Sequence, residues 1–260
     1  MSKPREFYNN FQSKLISDYT ISNKRMESAI INLGSFIPSS TENILDIGCG
    51  IGWSTHEFAK ALPHSKVVGV DLSPVLINTA SKLFSRENLR FETLDVTREL
   101  PENLFDIIVM IDVYEHIPKD NRQAFNLSLN KILSSQGRII MACPSKFHQL
   151  WLQKNNPKGL QPVDEDIDFE VISRLSKDVN AEVTFFEYQN IWNQNDYFYA
   201  VLTKNPRYGV DEQFPELKLE SKEERQARLK NQLKVEVKKN TNKNGLEKIL
   251  SKLKKKVKPK

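Results

Sequence analysis

The segment Asn43-Ile-Leu-Asp-Ile-Gly-Cys-Gly-Ile-Gly-Trp53 constrains the fold of this chain more than any other. Ile44, Leu45 and Ile47 form the apolar run of a short buried strand. Gly48, Gly50 and Gly52 then make a loop poor in side chains, and the residues from Ser54 to Leu62 read as the start of a helix. A strand that turns through alternate glycines into a helix lets a ligand approach the backbone and meet unpaired N–H groups. The spacing narrows the ligand class. A dinucleotide fingerprint needs a small residue where Trp53 stands, and a Walker loop needs a Gly-Lys-Ser/Thr ending that is absent. Asp46, expected to aim its carboxylate into the site, repels a pyrophosphate and attracts a cation. The expected ligand is a nucleoside that carries positive charge.

The combination Asp46-Ile-Gly48-Cys-Gly50-Ile-Gly52 resembles motif I of the class I methyltransferases that use S-adenosylmethionine. Later segments follow the same family's order, so the resemblance runs roughly from Phe7 to Lys204. It implies an α/β, Rossmann-like, doubly wound fold with a seven-stranded, mostly parallel sheet that ends in an antiparallel hairpin.

Lys66 to Asp71 reads as a second strand, and Ser73-Pro74 supplies an N-cap and first-turn proline for the helix after it. An acid at the carboxyl end of that strand suits the two hydroxyls of a ribose. Asp71 follows Gly52 by 19 positions, near the offset of about twenty that βαβ geometry imposes. Leu89 to Leu94 is a third strand, closed by Asp95-Val96. By resemblance to motif II, Asp95 accepts from the adenine amine and the Val96 backbone N–H meets the ring; an Asx turn is the alternative for Asp95. Phe105 to Ile111 reads as the central strand, and Leu72 and Ile111 complete the expected cofactor set.

Asp112-Val-Tyr-Glu-His-Ile-Pro118 resembles the V-L-E-H segment of small-molecule members, with Tyr114 in place of leucine. His116 is the candidate catalytic residue, either a general base or a substrate-orienting group; a structural hydrogen-bonding role for Glu115 and His116 stays open. His148 is a second base candidate. Residues 5–37 suggest two helices that close over the cofactor, and Tyr19 and Arg25 are candidates to touch its methionine end. Beyond the centre, a helix over Asn121 to Leu133 and a strand over Arg138 to Ala142 are expected. A long connection from Lys146 to Val163, whose aromatics line an acceptor pocket, then leads to a helix starting near Asp164. Ala181 to Tyr188 and Tyr197 to Thr203 read as the final hairpin, with Trp192 and Asn195 on the acceptor side.

Three regions result: N-terminal helices over the cofactor (1–40), the methyltransferase domain (41–207), and a Lys-rich tail, helical or partly disordered (208–260). From Glu216 onward there are 16 Lys and Arg against 6 Asp and Glu, leaving 22 against 27 in residues 1–215. Leu246, Ile249, Leu250, Leu253 and Val257 keep helical spacing among lysines, a basic amphipathic pattern suited to an anionic membrane, to nucleic acid or to an acidic partner. With 39% hydrophobic residues the chain can bury one substantial core, and no apolar run reaches the length of a membrane span. Two cysteines make neither a disulfide framework nor a metal cluster, which fits a reducing cytoplasm, and no secretory signal is visible.

The expected function is S-adenosylmethionine-dependent O-methylation of a small molecule or a glycan, such as a surface-polysaccharide precursor. The expected location is the cytoplasm, peripheral to the inner face of the membrane, and no metal is expected. Two alternatives stay open: an RNA or protein methyltransferase that uses the basic tail, although the acidic body and the missing Asn-Pro-Pro-Tyr-type motif make nucleic acid the lesser partner, and a non-catalytic cofactor-binding scaffold.

Overall fold

The structure is a computed structural model that describes residues 3–239, so the basic pattern from Leu246 to Val257 lies outside the described residues. Three helices come first, α1 (Lys3–Asn9), α2 (Gln12–Ile21) and α3 (Lys24–Gly34), where the aromatic spacing suggests two. Ser22 stops α2 with a positive φ of 96°, and the Asn23 side chain accepts from the backbone N–H of Arg25 and Met26 to start α3.

A seven-stranded sheet follows, in the spatial order β3-β2-β1-β4-β5-β7-β6. Its strands are β1 (Asn43–Ile47), β2 (Lys66–Asp71), β3 (Leu89–Thr93), β4 (Phe105–Ile111), β5 (Leu133–Pro144), β6 (Glu182–Gln189) and β7 (Tyr197–Thr203). Only β7 runs against its neighbours, pairing antiparallel with both β5 and β6. Five helices accompany the strands: α4 (Trp53–Ala61), α5 (Pro74–Leu83), α6 (Lys119–Ile132), α7 (Lys146–Asn155) and α8 (Phe169–Asp178). Strand order reverses between β1 and β4, so the loops after them diverge and leave a crevice at their carboxyl ends.

Two apolar layers cover the two faces of the sheet. One gathers Leu33, Ile44, Trp53, Phe58, Ile107 and Tyr199, and the other Leu45, Ile108, Phe125, Leu129, Ile172 and Leu175. Alternate residues of β1 and β4 go to opposite layers, as a strand covered on both faces requires.

The connection from Lys146 to Val163 is not an open loop. Ser145 accepts from the His148 N–H at 3.2 Å and caps α7, whose Phe147 and Trp151 are about half exposed instead of lining a pocket. The following helix starts at Phe169, not near Asp164, because Asp168 is the residue whose side chain caps it, accepting from the Val171 N–H at 3.1 Å. Asp164 is engaged elsewhere, by the Gln161 backbone N–H and the Gln149 amide.

Packing also continues past Arg207. Leu217 lies over Gly34, Leu217 and Leu219 pack against the first apolar layer, and Leu229 is buried in it. A last helix, α9 (Lys222–Lys239), crosses α2 and α5. The high lysine content hides these few apolar anchors, which is why composition alone suggests a solvated tail.

Candidate functional site

A cavity of about 420 Å³ opens at the carboxyl ends of β1, β2, β3 and β4, within the range of about 300–1,000 Å³ usual for small-molecule sites. The glycine loop forms one wall. Gly48 has a φ of +69°, and a Cβ there would stand 2.4 Å from a Val113 methyl; Gly52, at +82°, would drive one to 2.5 Å from the Phe91 ring. Both positions therefore need the absence of a side chain as well as the left-handed backbone. The N–H groups of Gly48 and Cys49 both donate to the Val70 carbonyl, at 2.8 and 3.0 Å, which folds the loop back on β2.

Asp71, at the end of β2, lines the cavity. Its two oxygens accept the backbone hydrogens of Gly50 at 3.0 Å and Ser73 at 2.8 Å, tying the glycine loop to the start of α5. Burial pushes its carboxyl up to about 6, against the lowering effect of those two bonds. Each oxygen keeps a further lone pair for a hydroxyl. Asp95 and Val96 lie across the same cavity. There the Asp95 side chain accepts from the backbone N–H and hydroxyl of Thr97, the Asx geometry offered by the alternative reading, while Arg98 approaches its other oxygen at 3.3 Å.

His116 closes the far wall, 6.3 Å from the ring of Tyr8. Its Nδ1 is 2.6 Å from the Val163 carbonyl and 3.3 Å from an Asp164 oxygen. A carbonyl can only accept, so Nδ1 carries the hydrogen and Nε2 is the basic nitrogen. Burial lowers the His116 pKa below its ordinary value, which keeps the ring neutral. Behind it Glu115 is fully buried, neither carboxyl oxygen has a hydrogen-bond partner, and burial pushes its pKa up to about 8.

Six of the expected site residues thus surround one cavity: Gly48, Asp71, Leu72, Asp95, Val96 and His116. Gly50, Gly52 and Ile111 are not among its lining residues. Asp46 does not aim into it. Its carboxylate, 1% exposed, accepts from the hydroxyls of Ser54 and Thr55, both at 2.6 Å, at the start of α4. The first turn of a helix supplies donors and the positive end of the dipole, so a buried acid next to it turns there. Burial nonetheless raises its pKa to about 6.

Tyr19 and Arg25 do not reach the cavity either. The Tyr19 hydroxyl donates to Glu220, and Arg25 pairs with Asp112. His148 stacks near Trp151 on α7. Trp192 is exposed against Tyr197, and the Asn195 carbonyl accepts from the Ser145 hydroxyl. Residues missed by sequence reasoning are Tyr8 on α1, Asp112 and Val163. Asp112 carries a signal only in three dimensions, a φ of 54° just after β4.

Residues 44–137 match the family described as "Methyltransferase domain". Among curated proteins, the chain is 28% identical over 160 residues to malonyl-[acyl-carrier protein] O-methyltransferase 2 of Ilyobacter polytropus, covering 60% of this chain and 58% of that protein. It is 37% identical over 105 residues to the uncharacterized protein RP028 of Rickettsia prowazekii, covering 38% and 42%. The chain thus spans about half the length of these relatives. Among solved structures, the N-methyltransferase NodS of Bradyrhizobium japonicum in complex with S-adenosyl-L-homocysteine superposes with a TM-score of 0.62. It is 17% identical, covering 79% of this chain and 100% of that one, which shows a common fold. Residues 44–137 thus match the methyltransferase-domain family, and the chain shares the fold of solved S-adenosylmethionine-dependent methyltransferases.

Proposed function

We propose that the chain binds S-adenosylmethionine in the cavity between Gly48, Asp71 and Asp95 and transfers its methyl group to an oxygen of a small-molecule acceptor. The observation that carries this reading is the convergence on one cavity of the glycine loop, the Asp71 carboxylate tied to it, and a neutral histidine opposite.

The residues fit that cofactor. Asp71 has free lone pairs for the ribose hydroxyls, Asp95 and Val96 line the same cavity and are the residues that would meet an adenine edge, and Gly48 leaves the backbone bare. When bound, the cofactor supplies an electrophilic methyl group, so the protein has chiefly to align the acceptor and exclude water. Tyr8 and Pro4 of α1 lie over the cavity and serve the second task. His116, held by Val163 through Nδ1, can take a proton from an acceptor hydroxyl at Nε2.

Oxygen as the attacking atom is supported by the names of relatives, which include several malonyl-[acyl-carrier protein] O-methyltransferases and a ubiquinone biosynthesis O-methyltransferase of Dictyostelium discoideum. Those names favour a small acid or phenol over the glycan suggested by the tail. No described helix is long and apolar enough to cross a membrane.

The test is incubation of the full chain with methyl-labelled cofactor and fractionated extract, together with titration calorimetry. Label entering a small acid or phenol is expected, with loss of cofactor binding in Asp71→Ala. Absence of S-adenosylmethionine binding by the wild type would refute the reading.

A further inference from the structure

Arg225, on α9 and distant in sequence from every cofactor motif, is 2% exposed. Its guanidinium lies 4.7 Å above the Trp53 ring and 5.8 Å from that of Tyr19, and its Nη2 donates to Glu27 at 2.7 Å. Trp53 is the first residue of α4, directly after the left-handed Gly52, and is itself buried. Tyr19 meets Trp53 edge-on at 5.4 Å, and its hydroxyl reaches Glu220, whose side chain also takes His56 of α4 and Arg228. Glu220 donates its backbone N–H to Glu57, again on α4. The segment from Leu217 to Leu229 therefore straps α2, which sets Leu15 over Gly50, to the helix that the glycine loop opens.

We infer that Arg225 is a positioning residue of the cofactor site: through Trp53 it fixes the glycine loop and through Tyr19 the helix that covers it. A desolvated cation over an indole is among the stronger of such contacts, and a buried guanidinium has no solvent alternative. Holding loop and cover in the binding geometry beforehand raises apparent affinity by the fraction of molecules that are competent. The inference rests on the reading that the cavity takes S-adenosylmethionine.

The test measures S-adenosylmethionine affinity by titration calorimetry at a temperature well below each variant's melting point. Arg225→Gln is expected to weaken binding about tenfold, the effect of a competent fraction reduced to about one tenth. Arg225→Lys, which keeps a cation over the indole, recovers most of it. Leu175→Ala, in the opposite apolar layer, lowers the melting temperature and leaves affinity unchanged, so general destabilisation is separated from positioning. Should Arg225→Gln not fold, Glu27→Gln, which removes the carboxylate that orients Arg225 and also takes the Ser22 hydroxyl, carries the test with a loss of about threefold. Binding by the wild type that survives in the folded variants overturns this inference alone; no binding by the wild type overturns the cofactor reading beneath it.

Discussion

Asp71 is held in a conflict that decides how the site answers pH. Two backbone N–H groups favour its charged form, burial disfavours it, and burial wins, leaving the carboxyl at about 6. A ribose hydroxyl is accepted better by a carboxylate than by a neutral acid, so binding needs the deprotonated form, nearly complete by about pH 7 and lost as pH falls through about 6. Affinity for S-adenosylmethionine measured by calorimetry should be flat from pH 7 to 8 and weaken by up to about tenfold per pH unit below 6. Asp71→Asn should bind less tightly than the wild type from pH 7 to 8, with the gap closing as pH falls below 6, and depend on pH less steeply. At His116 the expected effect falls on turnover: His116→Gln should lower kcat by about 10²–10⁴ and leave cofactor affinity nearly unchanged, as single-turnover and binding measurements would show. These residues are legible in the sequence because each follows an apolar strand at a fixed offset. Tyr8 and Arg225 are not, since an aromatic on an N-terminal helix and an arginine in a basic stretch have no local pattern that marks them.

Among the elements, the loop from Gly48 to Gly52 and the strands it joins are readable from periodicity, because a buried parallel strand is a nearly continuous apolar run. The helices are harder. The start of α8 turns on which of several acids in Asp164-Glu-Asp-Ile-Asp168 caps it, and α7 is hidden by its exposed Phe147 and Trp151, which break the expected polar outer face. At Gly52 two penalties add, a left-handed backbone and a neighbour in the way, whereas Gly209 has a φ of +69° with nothing within 4 Å of the place a Cβ would take. Gly209→Ala should therefore cost only the backbone part, about 1–2 kcal/mol. Gly52→Ala should cost more, because the Phe91 ring must also move, and should weaken cofactor binding. Thermal unfolding of the two variants side by side, with a binding titration of each, separates conformation from crowding.

The molecule as a whole buries three acids towards one edge of its sheet, Asp46, Asp71 and Glu115, and all three have raised pKa values. The unfolded chain releases those protons near pH 4 to 4.5, the folded one only at about 6, 6 and 8. A raised acid contributes stability that is complete below its unfolded pKa and is lost as pH rises through its folded one. His116 and Glu220 are shifted down, so their contributions run the other way and are lost as pH falls. The wild-type curve alone is thus a sum of opposed effects. Glu115→Gln removes one of them: the amide has nearly the same shape, and its burial in place of an acid adds no ionisable group. The melting temperature of Glu115→Gln relative to the wild type should rise steadily from pH 5 to pH 8 and level off above that, measured without ligand. A difference that stayed constant over that interval would mean that Glu115 is ionised in the folded protein, and that Arg25 or another cation neutralises it despite burial.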